Sequence, residues 1–362
     1  MGVGLDDVVA AETVLSDVDG KAGRLVIRGK PLDEISGRWE FEDVVSLLFE
    51  GFFDKYPTGS ALVSAIGAKR EDVFERIKGA IDLLAPLELY DGVRAGLAMM
   101  PDGDDVDDAL RLIAAPAVLT PALLRRRKGL PALKPDPSLG HAADMLRMAG
   151  QDEQAGTLVK ALNAYLVTVS DHGLNASTFA ARVVASTQAG LTSSVLAGMS
   201  ALKGPLHGGA PGPVIEMLDS IADHGQARPW LERQIRAGER LMGFGHRIYR
   251  TRDPRADSLK AALSDLRALP AVSDRLAFAE NVEAEALAVL RSEKPNRLLD
   301  TNVEFYTAVL LEAAGFPPDA FTCIFACGRI AGWIAHAREQ RQCGRLIRPQ
   351  SRYVGPLESV AA

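Results

Sequence analysis

Phe41-Glu-Asp-Val-Val-Ser-Leu-Leu-Phe49 sets apolar side chains at positions 41, 44, 45 and 48, the spacing of one face of an α-helix. Outward from it, the pattern recurs over residues 155–170 with Leu158, Leu162, Tyr165 and Val169. Asn175-Ala-Ser-Thr then reads as the N-cap of a helix through Ser186. A further apolar segment runs from Leu191 to Leu202 until Lys203-Gly-Pro stops it. Only the first 30 residues read differently. Val14 to Gly29 holds two short apolar runs about an Asp19-Gly20 turn, a hairpin signal. Leu123 to Pro137, with Arg125-Arg-Arg-Lys128 and three prolines, reads as a loop whose charge run is a solvated face. The expected fold class is therefore mainly α with a small N-terminal β element.

The chain has 362 residues, enough for one large domain or two ordinary ones. Hydrophobic content of 47% and charged content of 24% are those of a globular protein. A net charge of −6 argues against a nucleic-acid or anionic-membrane surface. Of the 41 basic residues 30 are Arg, the side chain suited to planar carboxylates and phosphates. Cys323, Cys327 and Cys343 match no disulfide framework and no zinc spacing, and read as buried thiols in a reducing compartment. Met-Gly-Val-Gly-Leu-Asp-Asp lacks the basic and apolar regions of a signal peptide. Leu112 to Leu124 is too short and too broken by Pro116 and Pro121 to span a bilayer. A cytoplasmic protein without membrane or nucleic-acid partners is expected, and there is no internal repeat, P-loop or dinucleotide fingerprint.

Two histidines stand 39 positions apart in glycine-rich turns, in Gly204-Pro-Leu-His207-Gly-Gly-Ala210 and Gly243-Phe-Gly-His246-Arg-Ile-Tyr-Arg250. Such turns let backbone approach a ligand and leave the imidazole accessible, which suits proton transfer. His172 lies between two helical runs; His336 sits in a helical pattern and reads as a packed, hydrogen-bonded residue; His141 and His224 have no distinguishing context. No HExxH or His-x-His pair is present, so no metal is expected. Glu304, before an apolar helix, could become a base through burial. Arg255, Arg329 and Arg348 lie near breakers or glycines, and several arginines beside histidines suit a substrate with more than one carboxylate.

These motifs, with Asp253-Pro-Arg255, Asn302-Val-Glu-Phe-Tyr306 and Arg329-Ile-Ala-Gly-Trp-Ile-Ala-His336, strongly resemble the citrate synthase family, which includes 2-methylcitrate synthases. The resemblance covers most of the chain, from Val8-Val-Ala-Ala-Glu-Thr to Tyr353-Val-Gly. It implies an all-helical homodimer that condenses acetyl-CoA with oxaloacetate and hydrolyses the thioester, with no permanently bound cofactor and no metal. A discontinuous large domain of residues 1–207 and 316–362 would close with a small domain of residues 208–315 over the substrate. A dimer is expected because the longer N-terminal extension of hexameric relatives is missing. By motif, Glu304 matches the base, His207 the residue that stabilises the enol, and His246 the one that polarises the oxaloacetate carbonyl. His172, Arg255 and Arg329 match oxaloacetate-binding positions, and Arg348 an arginine that reaches across the dimer. Arg250 matches a contact to CoA phosphates, and Gly243, Phe244 and Gly245 a loop near the CoA adenine.

Two departures stand out. Glu304 replaces the Asp of most relatives and extends the carboxylate by about 1.5 Å on standard bond lengths. Ala210-Pro-Gly-Pro replaces the more usual Ala-Asn-Glu, with Pro213 suited to a first helical turn. Two rivals remain: a 2-methylcitrate synthase using propionyl-CoA, and a catalytically weak paralogue that binds a CoA ester or oxaloacetate as a regulator.

Overall fold

The computed structural model describes residues 8–151, 155–205, 207, 211–246 and 248–355. The readings of residues 1–7 and of Gly208 to Ala210 lie outside them. The hairpin expected near the N-terminus forms as β1 (Ser16–Asp19) and β2 (Arg24–Ile27), antiparallel with Ser16 opposite Ile27. Asp19 closes its turn by accepting the amides of Lys21 and Ala22. A third strand not foreseen, β3 (Lys30–Pro31), pairs with β2.

Helices make up the remainder: α1 (Leu32–Ile35), α2 (Phe41–Phe49), α3 (Gly59–Ile77), α4 (Ile81–Leu84), α5 (Leu89–Leu97), α6 (Val106–Arg127), α7 (His141–Ala149) and α8 (Ala155–Val169). After them come α9 (Ala176–Ala185), α10 (Leu191–Leu202), α11 (Pro211–His224), α12 (Ala227–Arg236), α13 (Pro254–Ala262), α14 (Pro270–Glu293), α15 (Val303–Ala313) and α16 (Phe321–Cys343). Among the described residues the fold is mainly α with one small sheet. Phe41, Val44, Val45 and Leu48 are all buried, as their spacing requires. Asn175 caps α9 by accepting the amides of Ser177 and Thr178, and Pro213 falls in the first turn of α11.

The loop expected from Leu123 begins later. α6 runs through Pro116 and Pro121 to Arg127, buried almost throughout between α3, α5, α7 and α16. That burial offsets the two ladder hydrogen bonds the prolines remove. Arg125 to Arg127 form its last turn, where cations meet the carbonyl end. They are a surface feature: Arg126 pairs with Asp82, Arg127 with Asp319, and Arg125 donates to the Pro131 carbonyl.

α16 is the central helix, packed by α9, α6, α10 and α8. Residues 318–342 are long and apolar enough to cross a membrane, yet they are enclosed by the protein. Cys323 and Cys327 lie buried on α16 as free thiols. The helices from α11 to α15 pack mainly on one another, α12 on α14 and α11 and α13 on α15. They meet the rest of the chain largely where α13 and α15 lie against α8. The N-termini of α13 and α15 are at that seam with the buried face of α16 behind it, and the candidate residues gather there.

Candidate active site

Asp253-Pro254 starts α13 in the way local chemistry favours, an Asp N-cap followed by a proline whose missing N–H costs nothing at the first position. The Asp253 carboxylate accepts the Arg255 amide at 3.1 Å and then grips the Arg255 side chain at 3.0 Å through Nε and 2.8 Å through Nη2. It also accepts the Val303 amide at the start of α15 at 3.1 Å, so one buried carboxylate joins two helix N-termini. Asn302 caps α15 by accepting the Glu304 amide at 3.0 Å, and its Nδ2 donates to the Gly245 carbonyl at 2.7 Å.

The loop before His246 is tied to the same place. Gly245 donates to the Asp300 carbonyl, Asn302 donates to that of Gly243, and Phe244 bridges to Thr301. Gly243 and Gly245 have φ of 84° and 82°, where a side chain is strained. A Cβ on Gly243 would also lie 2.9 Å from Phe305. Phe244 is buried against Phe305.

His246 is held by its own turn. Its Nδ1 accepts the amides of Ile248 at 3.0 Å and Tyr249 at 3.1 Å. The neutral ring therefore carries its proton on Nε2, which stands 3.2 Å from Arg255 Nη2. Two donors face each other and need an acceptor oxygen between them. Burial first, and the Arg255 charge second, push His246 down to about 4, so it stays neutral near pH 7. His172, in the α8–α9 connection, is buried with its Nε2 3.0 Å from the Tyr249 hydroxyl. Burial and the Arg255 and Arg329 charges hold it well below the usual histidine range.

Arg329 lies in mid-α16, 1% exposed. Its Nε donates to the Val169 carbonyl at 2.6 Å, while Nη2 has no hydrogen-bond partner. Burial and the neighbouring Arg255 charge lower it to about 10 despite Asp171. Glu304, in the first turn of α15, feels both arginines. Desolvation outweighs them and pushes its carboxyl up to about 7. Two cations and a base poised near neutrality thus act on one another here, and one of the cations has a nitrogen left to meet an anion.

His207 reaches the same field from the end of α10, and burial with the Arg329 and Arg255 charges lowers it to about 4. Its Nε2 is 2.8 Å from Ser177 Oγ, which accepts from Trp333 Nε1 at 3.2 Å and lies 2.8 Å from Asn175 Oδ1. That Asn175 oxygen already accepts two amides. As arranged, the serine hydroxyl donates to Asn175 Oδ1 and His207 Nε2–H donates to the serine; turning that hydroxyl toward His207 Nε2 moves the ring proton to Nδ1 and makes it a donor.

The structure therefore brings together His172, His207, His246, Arg255, Glu304 and Arg329. Arg348 does not join them; it is exposed in the extended segment after α16. Arg250 is exposed too, its amide donating to the Gly20 carbonyl and its side chain beside a surface cleft also lined by Asp17, Asp19 and Lys21. Ser177, Trp333, Tyr249 and Asp253 escaped the reading of the sequence as site residues. Only Asp253 carried a usable signal, the Asp-Pro helix start. Among the described residues no group of three or more His, Cys, Asp or Glu could hold a metal.

The description of the citrate synthase C-terminal domain matches residues 4–350. A protein of Mycobacterium tuberculosis named putative citrate synthase 2 is 38% identical over 98% of this chain and 92% of its own length. A 2-methylcitrate synthase of the same species is 35% identical over 99% and 91%. The citrate synthase of Thermoplasma acidophilum, solved in a ternary complex with carboxymethyl coenzyme A and oxaloacetate, superposes with a TM-score of 0.86 at 30% identity, covering 99% of this chain and 97% of that one.

Proposed function

The chain belongs to the citrate synthase family and is a transferase of that type; from this premise we propose that it condenses acetyl-CoA with oxaloacetate through an enolate and then hydrolyses the thioester. One observation supports the assignment of roles: Glu304, raised to about 7, lies in the field of Arg255 and the incompletely paired Arg329, the same two cations that act on His207.

Glu304 takes a proton from the acetyl methyl group as its C–H electron pair becomes the enolate. His207, with the Ser177 hydroxyl turned to its Nε2, stabilises the enolate oxygen through Nδ1–H. The carbon attacks the oxaloacetate carbonyl carbon, and the π pair moves to an oxygen held between His246 Nε2–H and Arg255. That alkoxide takes the Nε2 proton of His246 as the new carbon–carbon bond forms, and the water of the next step restores it. Water then cleaves the thioester and CoA leaves as its thiol. His172, Arg255 and Arg329 bind the substrate carboxylates, Arg348 is supplied across a homodimer, and Arg250 with the loop Gly243–Phe244–Gly245 contacts CoA. Residues 208–315 form a small domain that closes on a large one of residues 1–207 and 316–362. The enzyme is cytoplasmic.

The 35%-identical 2-methylcitrate synthase supports a second acyl donor, propionyl-CoA. One methyl group in an apolar pocket is worth about 1–3 kcal/mol, so the motifs do not choose between the two. Thiol release from each ester with oxaloacetate, compared as kcat/KM, decides it. Glu304→Gln is expected to lower turnover by about 10²- to 10⁴-fold with oxaloacetate affinity nearly intact. Unchanged turnover would remove Glu304 from the mechanism. Failure of the parent protein to turn over either ester, despite binding oxaloacetate, would favour a regulatory paralogue.

A further inference from the structure

Tyr249 touches three of the residues assigned to oxaloacetate, and each contact uses a different part of it. Its amide donates to His246 Nδ1 at 3.1 Å. Its ring lies 4.8 Å from the His246 ring and 5.8 Å from the Arg255 guanidinium carbon. Its hydroxyl stands 3.0 Å from His172 Nε2. The side chain is 2% exposed, so water does not supply this hydroxyl with alternative partners.

A keto-dicarboxylate offers only acceptor oxygens, so His172 can hold one only through a ring N–H. With Nε2 occupied by Tyr249, that donor has to be Nδ1–H, and a neutral ring bears one proton. Nε2 must then accept, and the tyrosine must donate. The charged groups acting on His172 are Arg255 and Arg329, cations that keep the ring neutral and offer the phenol proton no acceptor. The Nε2 lone pair does. We propose that Tyr249 is a positioning residue whose hydroxyl selects the Nδ1–H tautomer of His172 and thereby sets affinity for the keto-dicarboxylate. This rests on the assignment of His172 and Arg255 to oxaloacetate.

Tyr249→Phe tests it cleanly, because the amide and the ring remain while the hydroxyl goes. Oxaloacetate binding, measured by calorimetry, should weaken about 3- to 10-fold, the worth of one neutral hydrogen bond. The KM for acyl-CoA and the thermal midpoint should stay as in the parent. In ¹⁵N-histidine spectra of the ligand-free parent, His172 should carry its proton on Nδ1, and the substitution should move it toward Nε2. Tighter or unchanged oxaloacetate binding by Tyr249→Phe, or a parent His172 protonated on Nε2, overturns the inference while leaving the enzyme assignment standing. A parent that binds no oxaloacetate overturns that assignment, and the inference with it.

Discussion

Arg329 and His336 lie two turns apart on α16, both buried, yet their surroundings differ. His336 is engaged at both nitrogens: Nδ1 accepts from Arg182 at 2.9 Å and Nε2 reaches the Asp171 carboxylate at 3.2 Å. The network continues outward, since Arg182 also meets Glu339 at 2.5 Å and Gln340 at 3.0 Å. Glu339 accepts the Val14 amide, and Asp171 accepts from Ser16 at 2.5 Å. This stitches the N-terminal segment to the centre of the fold. Arg329, by contrast, keeps one guanidinium nitrogen without a partner and faces a second cation, Arg255. A buried polar group ordinarily pairs, because leaving it unpaired costs about 1–3 kcal/mol. Paired charge on this helix is architecture, and the unpaired charge is the one the proposed function gives to a substrate carboxylate.

The largest effect expected from breaking the contrast is on stability. Arg182→Leu strands the buried Glu339 carboxylate and should cost about 3–5 kcal/mol in denaturant unfolding. The oxaloacetate KM of the folded protein should not change. A loss below about 1 kcal/mol would mean the network contributes little.

Arg329→Gln should do the reverse. Oxaloacetate affinity should fall about 10- to 100-fold, the worth of a charged hydrogen bond to a carboxylate, while unfolding free energy holds or rises. Matching losses of affinity and stability would put Arg329 in the same class as Arg182.

The smallest effect is in pH. As the proposed base, Glu304 would act only when ionised, and with a value of about 7 its ionised fraction rises from about one half at pH 7 to about nine-tenths at pH 8. The rate should therefore climb less than about twofold across that step and decline below it. His207 and His246, at about 4, add no second limb near neutrality. Stability moves oppositely. The folded value of Glu304 lies above its ordinary 4.5, so the native state holds the proton more tightly and stability falls as pH rises from 4.5 through 7. Glu304→Gln should thus be more stable than the parent at pH 8, with the gap closing toward pH 4. A gap that widens toward acid would mean the carboxyl is not desolvated.

Much of this was legible before any fold was known, and the exceptions are instructive. Helical spacing at Phe41, Val44, Val45 and Leu48 and the Asn175 cap are local signals that burial and hydrogen bonding later honour. α6 was misread beyond Leu123 because prolines and a basic run look like loop until neighbours bury the helix. Tyr249 and Ser177 were missed because a lone Tyr or Ser has no pattern. Their partners His172 and His207 are 77 and 30 residues away.

Periodicity and caps, properties of neighbours in the chain, determined the helical class and the N-terminal hairpin. The glycine-flanked histidines, Glu304 and the ordered motifs determined the family. Tertiary structure alone decided the charge states, because desolvation and distant cations create them. It raises Glu304 toward neutrality, keeps three histidines neutral and leaves Arg329 short of a partner.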